Sequence, residues 1–287
     1  VLDARTMLSL QAHPSLAQAR AGVLRENADG IPLDAPTRTY RDDNHKPEVH
    51  AALTDFWMLH GFRPLEEIAS ALEAVPELVS LAPGFRTLLR RAGSDPGAGR
   101  SLLRDLYRSL MVMPQPEIDR MLDPLVRRLE KDSREDRNSH DFWALRAART
   151  VPLPDGHRDR GIAAIYLLNL VHLRPGQGTF QPAGTLHAYL EGINVELMAN
   201  SDNVLRGGLT TKHVDTEGLM DTLTFQAERP LVLDGRQVSD AEWVYDAPVG
   251  EFLLSRIGPA TGKPHAEARD HGADCLIVLA GAAQAVT

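Results

Sequence analysis

The spacing of apolar residues divides the chain into three textures. Near the start, "MLSLQAH" (Met7 to His13) alternates large apolar and polar residues, the period of a half-buried strand, and Pro14 ends it. Residues up to Tyr40 read as a short helix and a Pro-rich loop. "EVHAALTDFWMLHGF" follows and fits a strand at least as well as a helix. From Pro64 to about Arg149 the period changes. Ile118, Met121, Leu122, Leu125, Val126 and Leu129 follow the i, i+3, i+4, i+7 stripe of an amphipathic helix, with Pro116 in its first turn. Leu102, Leu103, Leu106 and Leu110 make a second stripe, and "HDFWALRAAR" predicts a further helix. After "VPLPDGHRDRG" the apolar runs shorten and are broken by Gly and Pro: "AAIYLLNLVHL", "GTFQPAG", "TLHAYLEG", "INVELMA", "RPLVLDG", "WVYDAPVGEFLLSRI" and "CLIVLAG". Many short strands imply a sandwich or barrel. The order is β, then an α insertion, then β again.

One turn matters for chemistry. If Glu191-Gly192 closes a two-residue hairpin, Leu190 faces Ile193 and His187 faces Glu196 directly, their Cβ atoms about 5 Å apart on one face.

Composition narrows the function classes. The 287 residues carry 43% hydrophobic and 24% charged residues, ordinary for a globular chain with a sizeable core. The net charge of −8 argues against a nucleic-acid partner, whose phosphates need a basic surface, yet a few placed cations can still hold one small phosphate. The single cysteine, Cys275, forbids an intrachain disulfide and fits a cytoplasmic setting. The start has no signal-peptide pattern, and the longest apolar run, "IAAIYLLNLV", is too short to span a bilayer, so no membrane association is expected. Both ends read as abrupt, so the expectation is that flanking sequence is lacking.

The candidate chemistry gathers in four places. "YRDDNHKPE" packs Asp42, Asp43, Asn44, His45, Lys46 and Glu48 at the mouth of an apolar element. A solvated loop is the ordinary fate of such a cluster. In "QAH", Gln11 and His13 share one strand face; alone, such a pair is a hydrogen-bonded core pair. His187 alone would be a satisfied barrel histidine. Together, Gln11, His13, Glu48 and His187 offer two imidazoles, a carboxylate and an amide oxygen, a set that suits zinc, and one cysteine rules out a thiolate site. "SDNVLRGGLTTKHVD" adds Arg206 and Lys212 around Gly207-Gly208, where a phosphate could be held. Residue types alone reach as far as a metal-binding β-barrel.

The pieces "LSLQAHP", "YRDDNHKPE", "FWMLHGFRP", "PAGTLHAYLEG" and "ELMANSDNVLRGGLTTKHVD" together resemble the type I mannose-6-phosphate isomerases, also called phosphomannose isomerases. They occur in order, at family-like distances. The helical region matches mainly in position and texture. The resemblance implies a mainly β fold: a cupin (β jelly-roll) barrel with a helical insertion, and a second jelly-roll that looks incomplete. The implied division is catalytic cupin in residues 1–63 and 151–225, helical insertion in 64–150, and second jelly-roll in 226–287. It also implies one zinc per chain on Gln11, His13, Glu48 and His187, with Ser9, Lys46, Glu196, Arg206 and Lys212 as substrate or catalytic residues. Two positions depart from the family pattern: Thr211 stands where proline is usual, and Gln181 where an apolar residue is common.

The activity this implies is interconversion of mannose 6-phosphate and fructose 6-phosphate through an enediol. Glu196 is the first candidate for the acid/base and Lys46 the second. His45 could assist ring opening, Arg206 could meet developing oxyanion charge or phosphate, and Ser9 and Lys212 could anchor phosphate. A non-catalytic metal- or sugar-binding cupin, and a metal-dependent cupin enzyme of another class such as an oxygenase, stay open. The helical insertion offers no residue with a catalytic look.

Overall fold

In a computed structural model, residues 1–132, 135–258 and 275–282 are described. Eight strands form one sheet: β1 (Leu2–Ala4), β2 (Leu10–Ala12), β3 (Glu48–Ala52), β4 (Phe56–Phe62), β5 (Leu168–Leu173), β6 (Gly178–Gln181), β7 (His187–Met198) and β8 (Leu205–Gly208). The strand pairings are antiparallel throughout. A smaller sheet follows, made of β9 (Arg236–Gln237), β10 (Glu242–Tyr245) and β11 (Leu254–Ile257).

Strand β7 organises the large sheet. Its first half pairs with β2 and β4, and its second half with β1 and β3. The expected hairpin at Glu191-Gly192 is therefore absent: the chain continues through it as one 12-residue strand. Gly192 has the left-handed φ of 122° that the turn needed, but it serves a bend instead. A Cβ there would lie 2.5 Å from the carbonyl oxygen of Asp55. The bend is large. Tyr189 and Glu196 stand seven residues apart, roughly 23 Å along an extended strand, yet their side chains hydrogen-bond.

The helices are α1 (Leu16–Ala28), α2 (Leu65–Ala74), α3 (Phe85–Ala92), α4 (Pro96–Val112), α5 (Gln115–Lys131), α6 (His140–Thr150), the single-turn α7 (Gly161–Ala164), and α8 (Thr216–Thr222). Local chemistry explains their starts. Ser15 and Gln18 form a reciprocal capping box on α1, and Asp95 and Ser139 cap α4 and α6. The six apolar residues of the α5 stripe are all buried, as their spacing predicts. In α4, Leu103, Leu106 and Leu110 are buried, whereas Leu102 is only half-buried. One apolar core joins α2–α6 to Leu10, Leu59 and Leu186 of the sheet region, so the helices back the strands that carry the site.

Three strand expectations change. "RPLVLDG" keeps only an isolated bridge from Leu233 to Gly178. In "AAIYLLNLVHL" the first residues are helical, and strand begins only at Leu168. "CLIVLAG" forms no strand, and Leu276, Ile277, Val278 and Leu279 are half or more exposed. Apolar runs of this length do not distinguish strand from helix, and a strand needs a partner edge. Among the described residues no helix is long and apolar enough to cross a membrane.

Candidate metal centre and substrate site

Strand register builds the site. His60 of β4 pairs with His187, His187 with Gln11, and Gln11 with Arg206. Directly opposed residues share a face, so these four form a row across β4, β7, β2 and β8. His13 follows β2, and Glu48 opens β3.

His13, Glu48 and His187 are all buried, and one ligand atom from each lies within 4.8 Å of the others. His13 Nε2 is 3.1 Å from Glu48 Oε1, and His187 Nε2 is 3.4 Å from Glu48 Oε2. Neither contact has hydrogen-bond alignment: both Nε2 atoms and Glu48 Oε2 are buried without a hydrogen-bond partner. The other ring nitrogens are committed. His13 Nδ1 donates to the carbonyl oxygen of Asn203 at 2.7 Å, and His187 Nδ1 to that of Thr185 at 2.9 Å. That fixes the tautomer with a bare lone pair on each Nε2, aimed at the carboxylate, which is how protein imidazoles are held for a metal. Orphaned buried polar atoms are costly, and a cation among them removes the cost. Two imidazoles and one carboxylate, with Gln11 alongside on the same face, are a donor set that fits zinc.

Electrostatics agree. Burial alone would raise Glu48's carboxyl, but His13 and His187 pressed against it hold it well below the usual carboxylate range. Burial pushes His13 down, while Glu48 outweighs burial at His187 and raises it. Lys46 Nζ also reaches Glu48 Oε1, at 3.2 Å.

Glu196 lies beside this cluster. Its Oε1 accepts from the Tyr189 hydroxyl at 2.5 Å. Burial, and then the charge of Glu48, push its carboxyl up, against the opposing pull of Tyr189, His187 and Lys46. A carboxyl moved upward in this way is a stronger base than an ordinary carboxylate.

The remaining candidates divide. Arg206 is half-buried on the Gln11 face. His45 is ion-paired through Nε2 with Glu251, on the connection between β10 and β11. Ser9 is half-buried and Lys212 exposed; among the described residues neither side chain has a bonded partner.

Several residues of the site carry no sequence motif. Asn203, fully buried, accepts at Oδ1 from the backbone N–H of Arg41 (2.7 Å) and donates through Nδ2 to the carbonyl oxygens of Asp42 (2.7 Å) and Asn44 (2.9 Å). The charged loop is thus tied to the residue whose own carbonyl orients His13. Asp159, also buried, accepts from the N–H groups of Gly161 (2.6 Å), Leu209 (2.8 Å) and Thr210 (3.1 Å). It holds Leu209 at a left-handed φ of 53° and fixes the path from Gly208 towards Lys212. Gln181, a polar residue at an apolar position, donates to the Tyr189 hydroxyl at 2.9 Å. His50 meets the Tyr189 ring edge-on, its imidazole pushed down to about 3, chiefly by burial. Strand alternation was the available signal for two of them: His50 stands two residues from Glu48, and Tyr189 two from His187.

Comparison with known proteins agrees with this architecture. A family model described as phosphomannose isomerase type I, catalytic domain, matches residues 1–65. The chain is 38% identical to the mannose-6-phosphate isomerase of Escherichia coli (strain K12) over 256 residues, covering 89% of this chain and 61% of the relative. It is 34% identical to the mouse (Mus musculus) mannose-6-phosphate isomerase over 296 residues, covering 100% of this chain and 66% of the relative. The chain is thus similar to the type I phosphomannose isomerases, over residues 1–65 for the family model and over most of its length for the relatives. Solved structures agree with that similarity. A zinc-bound mannose 6-phosphate isomerase matches with TM-score 0.70 and 35% identity, over 88% of this chain and 60% of that one. The apo form from Salmonella typhimurium matches with TM-score 0.70 and 35% identity, over 88% and 61%. Relative to the first of these phosphomannose isomerases, the chain spans 61% of the length.

Proposed function

We propose that this chain is the catalytic part of a zinc-dependent aldose–ketose isomerase interconverting mannose 6-phosphate and fructose 6-phosphate. The observation that carries the proposal is the set of orphaned, buried Nε2 and Oε2 atoms on His13, His187 and Glu48, next to the Glu196 carboxyl that Tyr189 orients. The names of the relatives, and the zinc in a related structure, support it. The same reading takes the large sheet as a cupin formed from residues 1–63 and 151–225, with 64–150 inserted and 226–287 belonging to a second jelly-roll. The mixing of early and late strands in one sheet, with α2–α6 between them in sequence, supports that division. The metabolic substrate and the lone cysteine fit a cytoplasmic enzyme.

His13, Glu48 and His187 would hold the zinc, with Gln11 as the fourth protein ligand. Bound there, zinc supplies Lewis acidity towards the sugar's carbonyl and hydroxyl oxygens. The chain's own residues move the protons. Glu196 removes the proton from C2 of the open-chain aldose and returns it at C1. Tyr189 donates to the same carboxylate and keeps it oriented. Lys46 stands by as a second proton carrier at the substrate oxygens, held by Glu48. Arg206 meets negative charge on the substrate, and Ser9 and Lys212 serve the phosphate. His45, paired with Glu251, would assist ring opening only after leaving that carboxylate.

A coupled assay tests the reading: the chain is stripped with a chelator, then supplied with zinc and mannose 6-phosphate. Fructose 6-phosphate should form only with the metal restored. No product from a folded, zinc-loaded chain would reject the catalytic reading and leave a metal-binding module.

A further inference from the structure

Asn203 is bonded in two directions. Its backbone carbonyl oxygen accepts from His13 Nδ1 at 2.7 Å. Its fully buried side chain holds residues 41–44, a stretch with neither helix nor strand. Oδ1 accepts from the N–H groups of Arg41 (2.7 Å) and Asp42 (3.3 Å). Nδ2 donates to the carbonyl oxygens of Asp42 (2.7 Å) and Asn44 (2.9 Å) and to Asp42 Oδ1 (3.2 Å). Its neighbours extend the seam. Asp202 N–H donates to Asp42 Oδ2 at 2.7 Å, Asn44 Nδ2 to the carbonyl oxygen of Asn200 at 3.1 Å, and Ala199 N–H to that of Pro47 at 3.2 Å. A buried amide with both its acceptor and its donors engaged holds such a loop in one arrangement.

These bonds make a ring with one weak link. The path runs from His13 through Asn203 to residues 41–44, then along the chain past Lys46 to Glu48, and back to His13. Every link is covalent or hydrogen-bonded except the last. There His13 Nε2 stands 3.1 Å from Glu48 Oε1 and lacks a hydrogen-bond partner. A cation held by both residues closes the ring. Closing a ring restricts the rest of it, and a loop already fixed presents Glu48 to the cation at a smaller entropic cost. The two effects are one coupling free energy and are therefore equal.

We infer that Asn203 is a positioning residue coupling the metal centre to the charged loop: zinc on His13 and Glu48 orders residues 41–46, and order in that loop tightens zinc. His45 and Lys46 are then set for substrate only once the metal is bound. The coupling rests on the zinc reading of the site and not on the identity of the sugar.

The test is hydrogen exchange of the full chain, read by mass spectrometry with and without zinc, alongside zinc titration and turnover. It compares wild type with two variants. Asn203→Ala removes the side chain but keeps the carbonyl that meets His13. Asp42→Ala cuts the half-buried far end of the tie and keeps Asn203 if the first variant fails to fold. In wild type, zinc should slow exchange in 41–46 several-fold more than in α5. Both variants should lose that zinc-dependent difference and bind zinc more weakly, roughly tenfold or more for Asn203→Ala and several-fold for Asp42→Ala. Loss of order alone would raise exchange without zinc and leave the zinc affinity of Asp42→Ala unchanged. Wild type that binds zinc with no extra protection of 41–46, or Asp42→Ala with wild-type zinc affinity, overturns the coupling and leaves the metal centre standing. No zinc binding by wild type overturns both. The full pattern in a chain that never turns over mannose 6-phosphate keeps the coupling and removes the isomerase reading.

Discussion

The hydroxyl of Tyr189 donates to Glu196 Oε1 at 2.5 Å, joining residues from the two halves of one bent strand. This bond favours the ionised carboxylate and opposes the upward push of burial and of Glu48. Tyr189→Phe removes it, so the carboxyl rises further. A base must be ionised to act, so the acid limb of the kcat/KM–pH profile should move to higher pH. A limb that stays in place or moves down would separate Glu196 from the titration that limits catalysis.

Glu196→Gln keeps size and most hydrogen-bonding capacity but cannot accept a proton. The expected outcome is a folded chain with normal zinc content and a kcat lower by roughly two to four orders of magnitude. Zinc lost in parallel with activity would assign Glu196 to orienting the metal centre. Near-normal turnover with zinc intact would move proton transfer to Lys46.

Gly192→Ala puts a Cβ at a φ of 122° and within 2.5 Å of the Asp55 carbonyl oxygen. Strain of this kind costs on the order of 1–3 kcal/mol. Urea unfolding should show that loss, and activity at full zinc should fall because the bend brings Glu196 to Tyr189. A midpoint equal to wild type would mean that β7 does not need the bend.

Asp159→Asn leaves three backbone donors with a weaker acceptor, and one N–H then faces an amide. The loop leading to Lys212 loosens. KM for mannose 6-phosphate should rise several-fold for Asp159→Asn, as for Lys212→Ala, which removes ground-state as well as transition-state binding. Unchanged KM in both variants would take this loop out of substrate binding.

The sequence showed some of this site and hid the rest, for identifiable reasons. The α5 stripe was legible because helix period depends only on local spacing, and all six residues are buried as expected. Gln11, His13, Glu48 and His187 stood out because imidazoles and carboxylates are few at apolar positions. The hairpin at Glu191-Gly192 was misread: a glycine with positive φ serves a bend as well as a turn, and only the partners β1–β4 decide between them. Asn203 and Asp159 left no local trace. Their bonds run to residues 162 and 50 positions away, respectively, and nothing in "SDN" or "RDRG" marks such a partner. Gln181 was visible as an oddity, but its bond to Tyr189 depends on the fold.

The metal centre admits the most direct measurement: zinc titration of wild type and Glu48→Ala, with bound metal counted per folded chain. Glu48 is the carboxylate between His13 and His187, so its removal takes away the charge that offsets the cation. The prediction is about one zinc per wild-type chain and sharply reduced occupancy in the variant, with the circular dichroism of both chains alike. Full zinc content in Glu48→Ala, or none in wild type, would contradict the account.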